Sequence, residues 1–191
     1  LGSPFVEVTR GANDGRSHDV SQVKQAMASW VNGLRAPFSP SPPLTSDSRD
    51  GRGLQHDVCG RLLTPIDRDW DDPEVRAKFR AGAASEGYVI SAFARALYSK
   101  FEGDLEQLEV GYLKSLLLVK TYQHIFTSPS SARGTDPQAS DCENDAPTGK
   151  RPRKRSRKSR KSVAANLSMR GQVTPRSIAY AAIMVRPFPL L

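Results

Sequence analysis

The sequence predicts a small, mainly α-helical domain with long disordered loops. Three observations predict it. Apolar residues recur at three- and four-residue spacing in two stretches, one beginning at Asp19 and one at Asp104. Two helix starts, at Asp72-Pro73 and Thr174-Pro175, pair a capping residue with a proline suited to the first helical position. The intervening segments are rich in proline, serine or basic residues and have no hydrophobic period.

In chain order, residues 1–18 read as a flexible lead-in, and a helical core is expected over 19–127. Val20, Val23, Met27, Trp30, Val31 and Leu34 mark the apolar face of the first helix, with Asp19 or Ser21 as its cap and Gly33 at its end. Residues 35–53, with Pro37, Pro40, Pro42 and Pro43, read as an extended linker, because proline removes donors and restrains its neighbour. Residues 54–70 read as irregular or short-stranded. Asp72, Pro73 and Glu74 open a helix that places Val75 and Phe79 on one face, with Gly82 and Gly87 flanking the next break. Ser91–Phe101 reads as a short helix with Phe93, Ala94, Leu97, Tyr98 and Phe101 inward. The strongest stripe runs from Asp104 to Phe126 through Leu105, Leu108, Tyr112, Leu113, Leu116, Val119 and Ile125. Residues 128–172 read as a disordered basic loop, 173–186 as a final core helix and 187–191 as a tail. In the final helix Thr174 caps, and Val173 and Ile178 form a hydrophobic staple. The helices starting at Asp19, Asp104 and Val173 are expected to pack together. A buried helix this late in the chain implies further sequence beyond it, and a start without methionine is expected of a fragment.

Length and composition set limits. The 191 residues allow one domain, with on the order of 100 left for packing once the polar stretches are set aside. The net charge of +8 is unevenly placed. Residues 146–191 hold 12 Lys and Arg and no acid, so residues 1–145 hold 16 bases against 20 acids, a net of −4. A mildly acidic body with a basic arm points to polyanion contact, or to an arm folded back on its own body. Two cysteines, Cys59 and Cys142, are too few for a disulfide scaffold and fit a reducing compartment. No apolar run approaches the roughly 18–20 residues of a membrane span, so no membrane partner is expected. The first residues also lack the pattern of a secretory signal.

The basic run Lys150, Arg151, Arg153, Lys154, Arg155, Arg157, Lys158, Arg160 and Lys161 places nine cations in twelve residues. A polycation gains affinity for DNA or RNA by releasing condensed counterions. The same density suits an import-receptor groove. No aromatic residue lies within the run, so base stacking and sequence preference are not expected. The readings, in order, are a nuclear import signal, a non-specific nucleic-acid contact and an inert solvated loop. Ser156, Ser159 and Ser162 lie among the cations, where phosphates would each remove about 1.5 to 2 charges.

Other chemistry is weakly marked. Asp67, Asp69, Asp71 and Asp72 surround Trp70, but a calcium loop starting at Asp67 would need Gly at its sixth position and Glu at its twelfth, where Asp72 and Lys78 stand. Pro65 interrupts the strand that a phosphatase-like Asp-x-Asp site needs. Capping and turn formation account for most of the cluster. His56 and Cys59 have ligand-like spacing, but His18, His124 and Cys142 offer no matching pair for a four-ligand zinc site. A turn histidine and a buried thiol are the plainer reading. With three histidines and no Gly-x-Ser-x-Gly elbow, a nucleophilic triad is not indicated, and His124 reads as a packing or helix-end residue. No catalytic residue, metal or cofactor is assigned.

Several stretches resemble one family. They are Arg10-Gly-Ala, Asp50-Gly-Arg-Gly-Leu-Gln-His56, Gly60-Arg-Leu-Leu, Asp69-Trp70-Asp-Asp, His124-Ile-Phe-Thr-Ser-Pro-Ser-Ser-Ala132 and Val173-Thr-Pro-Arg-Ser-Ile-Ala-Tyr-Ala-Ala182. In this order they are similar to domain of unknown function 6698, a family abundant in mushroom-forming fungi. The resemblance implies a fungal protein and assigns no activity. The loop between the last two stretches is longer than in similar members. The ending Arg186-Pro-Phe-Pro-Leu-Leu191 also departs from their pattern, as a truncated or altered end would.

The leading expectation is a nuclear, otherwise cytoplasmic, non-enzymatic protein whose basic loop contacts nucleic acid or an import receptor. The alternatives are a helical interaction module that docks a partner through its last helix, and a metal-dependent hydrolase drawing on Asp67, Asp69 and Asp71.

Overall fold

The computed structural model describes residues 4–46, 53–82, 93–133, 169 and 172–185, with side chains from Asn13 onward. It is mainly helical, as expected. Among the described residues, five α-helices follow one another: α1 (Pro4–Asn32), α2 (Asp57–Leu63), α3 (Pro73–Ala81), α4 (Leu116–Phe126) and α5 (Pro175–Val185). Short 3₁₀ turns at Gly53–Gln55, Arg95–Leu97, Ser99–Phe101 and Ser131–Arg133 join them. Among the described residues, no helix is long and apolar enough to cross a membrane.

Helix α1 buries the face that its spacing predicts: Val23, Met27, Trp30 and Val31 enter the core, with Val20 and Leu34 packed at its edge. It starts at Pro4, however, and not at Asp19, so residues 4–18 are helical and not a flexible lead-in. Once the packed half is formed, each added residue gains a hydrogen bond without a new nucleation cost. Asp19 is therefore inside the helix and caps nothing. Its Oδ2 instead accepts the Tyr180 hydroxyl of α5 at 2.9 Å.

The proline-rich stretch is folded back onto the core rather than extended. Asn32 grips Leu44 through two 2.8 Å bonds, its Nδ2 donating to the Leu44 carbonyl and its Oδ1 accepting the Leu44 N–H. Leu44 is buried. His56 makes the second attachment: its Nε2 donates to the Pro42 carbonyl at 3.0 Å, while Nδ1 accepts the Val58 N–H and caps α2.

The segment read as irregular contains α2. Gly60 lowers its helix propensity and hid it in the sequence. The glycine is needed because the Trp70 indole lies where a Cβ would sit. The cap of α3 is as expected, with Asp72 Oδ1 accepting the Glu74 N–H at 2.8 Å. Phe79 is buried and meets Trp70 edge to face at 6.4 Å. The ion pair Arg80–Asp57 ties α3 to α2, and Arg61–Asp71 ties α2 to the turn just before α3.

Two further expectations are corrected. Residues 93–101 form two 3₁₀ turns instead of a helix, although Ala94, Leu97, Tyr98 and Phe101 are buried as expected. Lys100 and Phe101 have φ of 55° and 61°, which an α-helix cannot contain. The long helix from Asp104 shrinks to Leu116–Phe126. Gly111 and Leu113 have φ of 77° and 56°, and the Ser115 hydroxyl accepts the Leu118 N–H to start α4 afresh. Leu105 and Val110 are consequently exposed. Tyr98 is fully buried beneath this loop and donates to the Leu108 carbonyl at 2.8 Å.

Helix α4 is the centre of the core, packed against α1 on one side and α5 on the other. Residues 128–133, placed within the disordered loop by the sequence, belong to this core: Ala132 is fully buried and its turn packs on α4. Residues 134–168, 170 and 171 of that loop lie outside the described residues, as does the tail, 187–191. Thr174 caps α5 as expected, its Oγ1 accepting the Ser177 N–H at 3.2 Å. The staple does not form, because Val173 is exposed.

The Gly60–Trp70 contact gives a direct test. Gly60→Ala should gain about 1 kcal/mol in helix propensity. The displaced Trp70 should nonetheless leave a net loss of about 1–3 kcal/mol, read as a lower urea midpoint.

Candidate functional site

A half-open cavity of about 600 Å³ lies between α1 and α4. Its construction follows from helical spacing. Gln22, Gln25, Ser29 and Gly33 recur every three or four residues along one face of α1. Leu116, Lys120 and His124 recur every fourth residue along α4. Pro129 and Arg133, from the turn that follows α4, complete the wall. Trp30 and Leu34 add apolar surface from α1.

His124 is the least satisfied group in this wall. Both ring nitrogens are closed off from solvent and have no hydrogen-bond partner. The ring meets Trp30 edge to face at 5.6 Å. Burial holds its pKa below the ordinary histidine range; the Asp19 carboxylate opposes this and the Arg133 cation adds to it. His124 is therefore a packing residue, as the sequence indicated. Lys120 is also largely buried. On the α5 side, Tyr180 is pushed up to about 12 by burial and by its bond to Asp19.

The aspartate cluster is distributed among structural tasks. Asp72 caps α3, and Asp69 Oδ1 accepts the Asp71 N–H at 3.0 Å in a local turn. Asp71 takes both guanidinium nitrogens of Arg61, at 2.5 and 2.8 Å, which pulls its pKa down. Asp67 is exposed beside Arg68. His56 and Cys59 do not come together as ligands: His56 caps α2 and Cys59 is a buried thiol. Among the described residues, no three His, Cys, Asp or Glu side chains gather as a metal group. The nine cations from Lys150 to Lys161 lie outside the described residues, as do Ser156, Ser159, Ser162 and Cys142.

The cavity went unread in the sequence because its lining is polar on α1 and mixed on α4. The only available signal was that Gln22, Gln25 and Ser29 share a helical flank.

Residues 10–188 match the model of DUF6698, a family of unknown function. The chain belongs to this family. No curated protein and no solved structure matches it. The DUF6698 match spans α2 to α5 and α1 from Arg10 onward, so the core and the cavity both lie within the family region.

The dry His124 ring predicts a pH effect. Its folded pKa is depressed, so stability is fully present above the unfolded value of about 6.5 and falls as pH drops below it. His124→Phe should keep the Trp30 contact and flatten this acid limb. It should also remove two unpaired polar atoms, a cost of about 1–3 kcal/mol. Urea titrations of both proteins from neutral to mildly acidic pH read out the difference.

Proposed function

We propose that this DUF6698 protein is a nuclear, non-enzymatic helical protein whose segment Lys150–Lys161 contacts nucleic acid without sequence preference or docks an import receptor. One observation carries the reading: nine cations in twelve residues sit in a region without acids, attached to a body of net charge −4. Counterion release makes such a run bind polyanions regardless of its backbone conformation. The fold supports the role of an arm. Ala132 before the run and α5 after it both pack against α4, so the segment is tethered to the core at both ends.

A second reading, a protein partner docked on α5, has its own observation. Ile183 is 62% exposed in the last turn of a helix that is otherwise largely apolar.

Labelled DNA and RNA titrated at several salt concentrations test the first reading. The full chain should bind with a log–log salt slope no steeper than about −8 on duplex DNA, the limit for nine phosphate contacts. Deletion of 150–161 should abolish binding. Equal binding by both proteins would place the site in the core, and no binding by either would remove nucleic acid and leave the import receptor, scored by nuclear entry of a fluorescent fusion. For the second reading, Ile183→Lys should leave thermal melting unchanged and abolish association with a captured partner; unchanged association removes it.

A further inference from the structure

We infer that the chain pairs with a second copy of itself, the acidic loop 102–110 of one copy covering the exposed side of α5 on the other. The inference rests, for the α5 half of the contact, on the reading of α5 as a docking helix, and it names the partner. The basic run takes no part in it.

The argument starts from the apolar residues that the fold leaves in water. Among the described residues, Leu105 (59%) and Val110 (56%) are exposed in the loop, and Val173 (59%) and Ile183 are exposed just before and within α5; Val119 is the fifth of this kind. The two segments carry opposite charge. Between Lys100 and Lys114 the chain has four acids, Glu102, Asp104, Glu106 and Glu109, and no base. All four are exposed, and none enters an ion pair among the described residues. Helix α5 is the reverse: it contains Arg176 and no acid, inside a stretch, 146–191, with 12 bases and no acid. Arg176, Ala179 and Ile183 recur at three- and four-residue spacing along its exposed side. Each segment offers the apolar contact and the charge that the other needs.

The two halves do not cover each other within one copy, because all four apolar side chains are more than half exposed. The core also holds them in place. Helix α5 packs on α4. The loop is pinned by the Tyr98 hydroxyl, which donates to the Leu108 carbonyl, and by the Ser99 N–H, which donates to the Gly111 carbonyl at 2.8 Å. Within it, Asp104 Oδ1 accepts the Glu106 N–H at 2.9 Å. A loop held in this way loses little freedom on docking. A second copy brings each segment its missing half. With two-fold symmetry the loop of each copy covers α5 of the other, so the contact is made twice and the assembly closes as a dimer. Arg176 then meets the loop carboxylates, while Leu105 and Val110 meet Ile183 and Val173.

Sedimentation velocity of the full chain over about 1–200 μM at low salt should show a monomer–dimer equilibrium. Leu105→Lys and Ile183→Lys should each weaken it about tenfold or more. Both positions are exposed, so circular dichroism and melting should match the parent. An equimolar mixture of the two variants should associate more tightly than either alone, because it restores one intact loop–α5 contact. Raising NaCl from about 0.05 to 0.5 M should weaken the parent dimer about threefold or more. Deletion of 150–161 should leave the dimer in place. A monomer at every concentration would overturn the inference and leave the α5 reading standing, since capture of a different protein through Ile183 scores that reading separately. Loss of the dimer on deletion of 150–161 would overturn it by making the basic run the occupant of the loop. A mixture no tighter than its parts would overturn it by placing α5 against α5 or loop against loop. An affinity unchanged by salt would remove the charge match on which the choice of partner rests.

Discussion

The burial of α4 on two sides at once is the constraint on which the rest of the structure depends. An isolated helix of 11 residues is marginal in water. Its stability has to come from packing, and Leu117, Leu118, Ile125 and Phe126 are all buried. Each such side chain contributes about 1.5–3 kcal/mol when removed from water. That requirement draws α1 to one side and α5 to the other. It also draws the turn at Ser131–Arg133 back onto the helix, with Ala132 fully enclosed. The cavity arises in the same way, because α1 and α4 face each other partly through polar residues that leave space between the helices.

Polar links then fix the register of these helices. Tyr180 on α5 donates to Asp19 on α1, and Ser177 on α5 donates to the Tyr122 hydroxyl of α4 at 3.3 Å. Asn32 and His56 hold the proline-rich stretch against the end of α1 and the start of α2. None of these contacts is large by itself, since a typical hydrogen bond contributes about 0.5–1.5 kcal/mol net. Their effect is to select one arrangement among several that would bury similar apolar area. A second cluster, built on Trp70 against Gly60 and Phe79, anchors α2 and α3. Arg80 lies over the Trp70 ring at 5.7 Å while pairing with Asp57.

The functional picture divides along the same lines. The core belongs to DUF6698 and contains a cavity lined by two cations. The basic run lies between two core elements, and its proposed contacts with polyanions depend on charge density rather than on shape. The aspartates near Trp70 are taken up by a cap, a turn and an ion pair. They carry no chemistry that the proposed function needs.

By itself the sequence determined the helical class, the inward face of α1, the caps of α3 and α5, the basic run and the family. These follow from local rules: apolar period, the pairing of a capping side chain with proline, and charge density. Only the tertiary structure decided the limits of α1 and α4, the existence of α2 and the course of the proline-rich stretch. An apolar stripe cannot show that Gly111 and Leu113 take left-handed backbone, so the predicted helix from Asp104 ran too far. A glycine inside α2 reads as a helix breaker until Trp70 is placed against it. The cavity was not legible either. Gln22, Gln25 and Ser29 look like a solvated flank until Lys120 and Arg133, about a hundred residues later in the chain, are brought opposite them by the burial of α4.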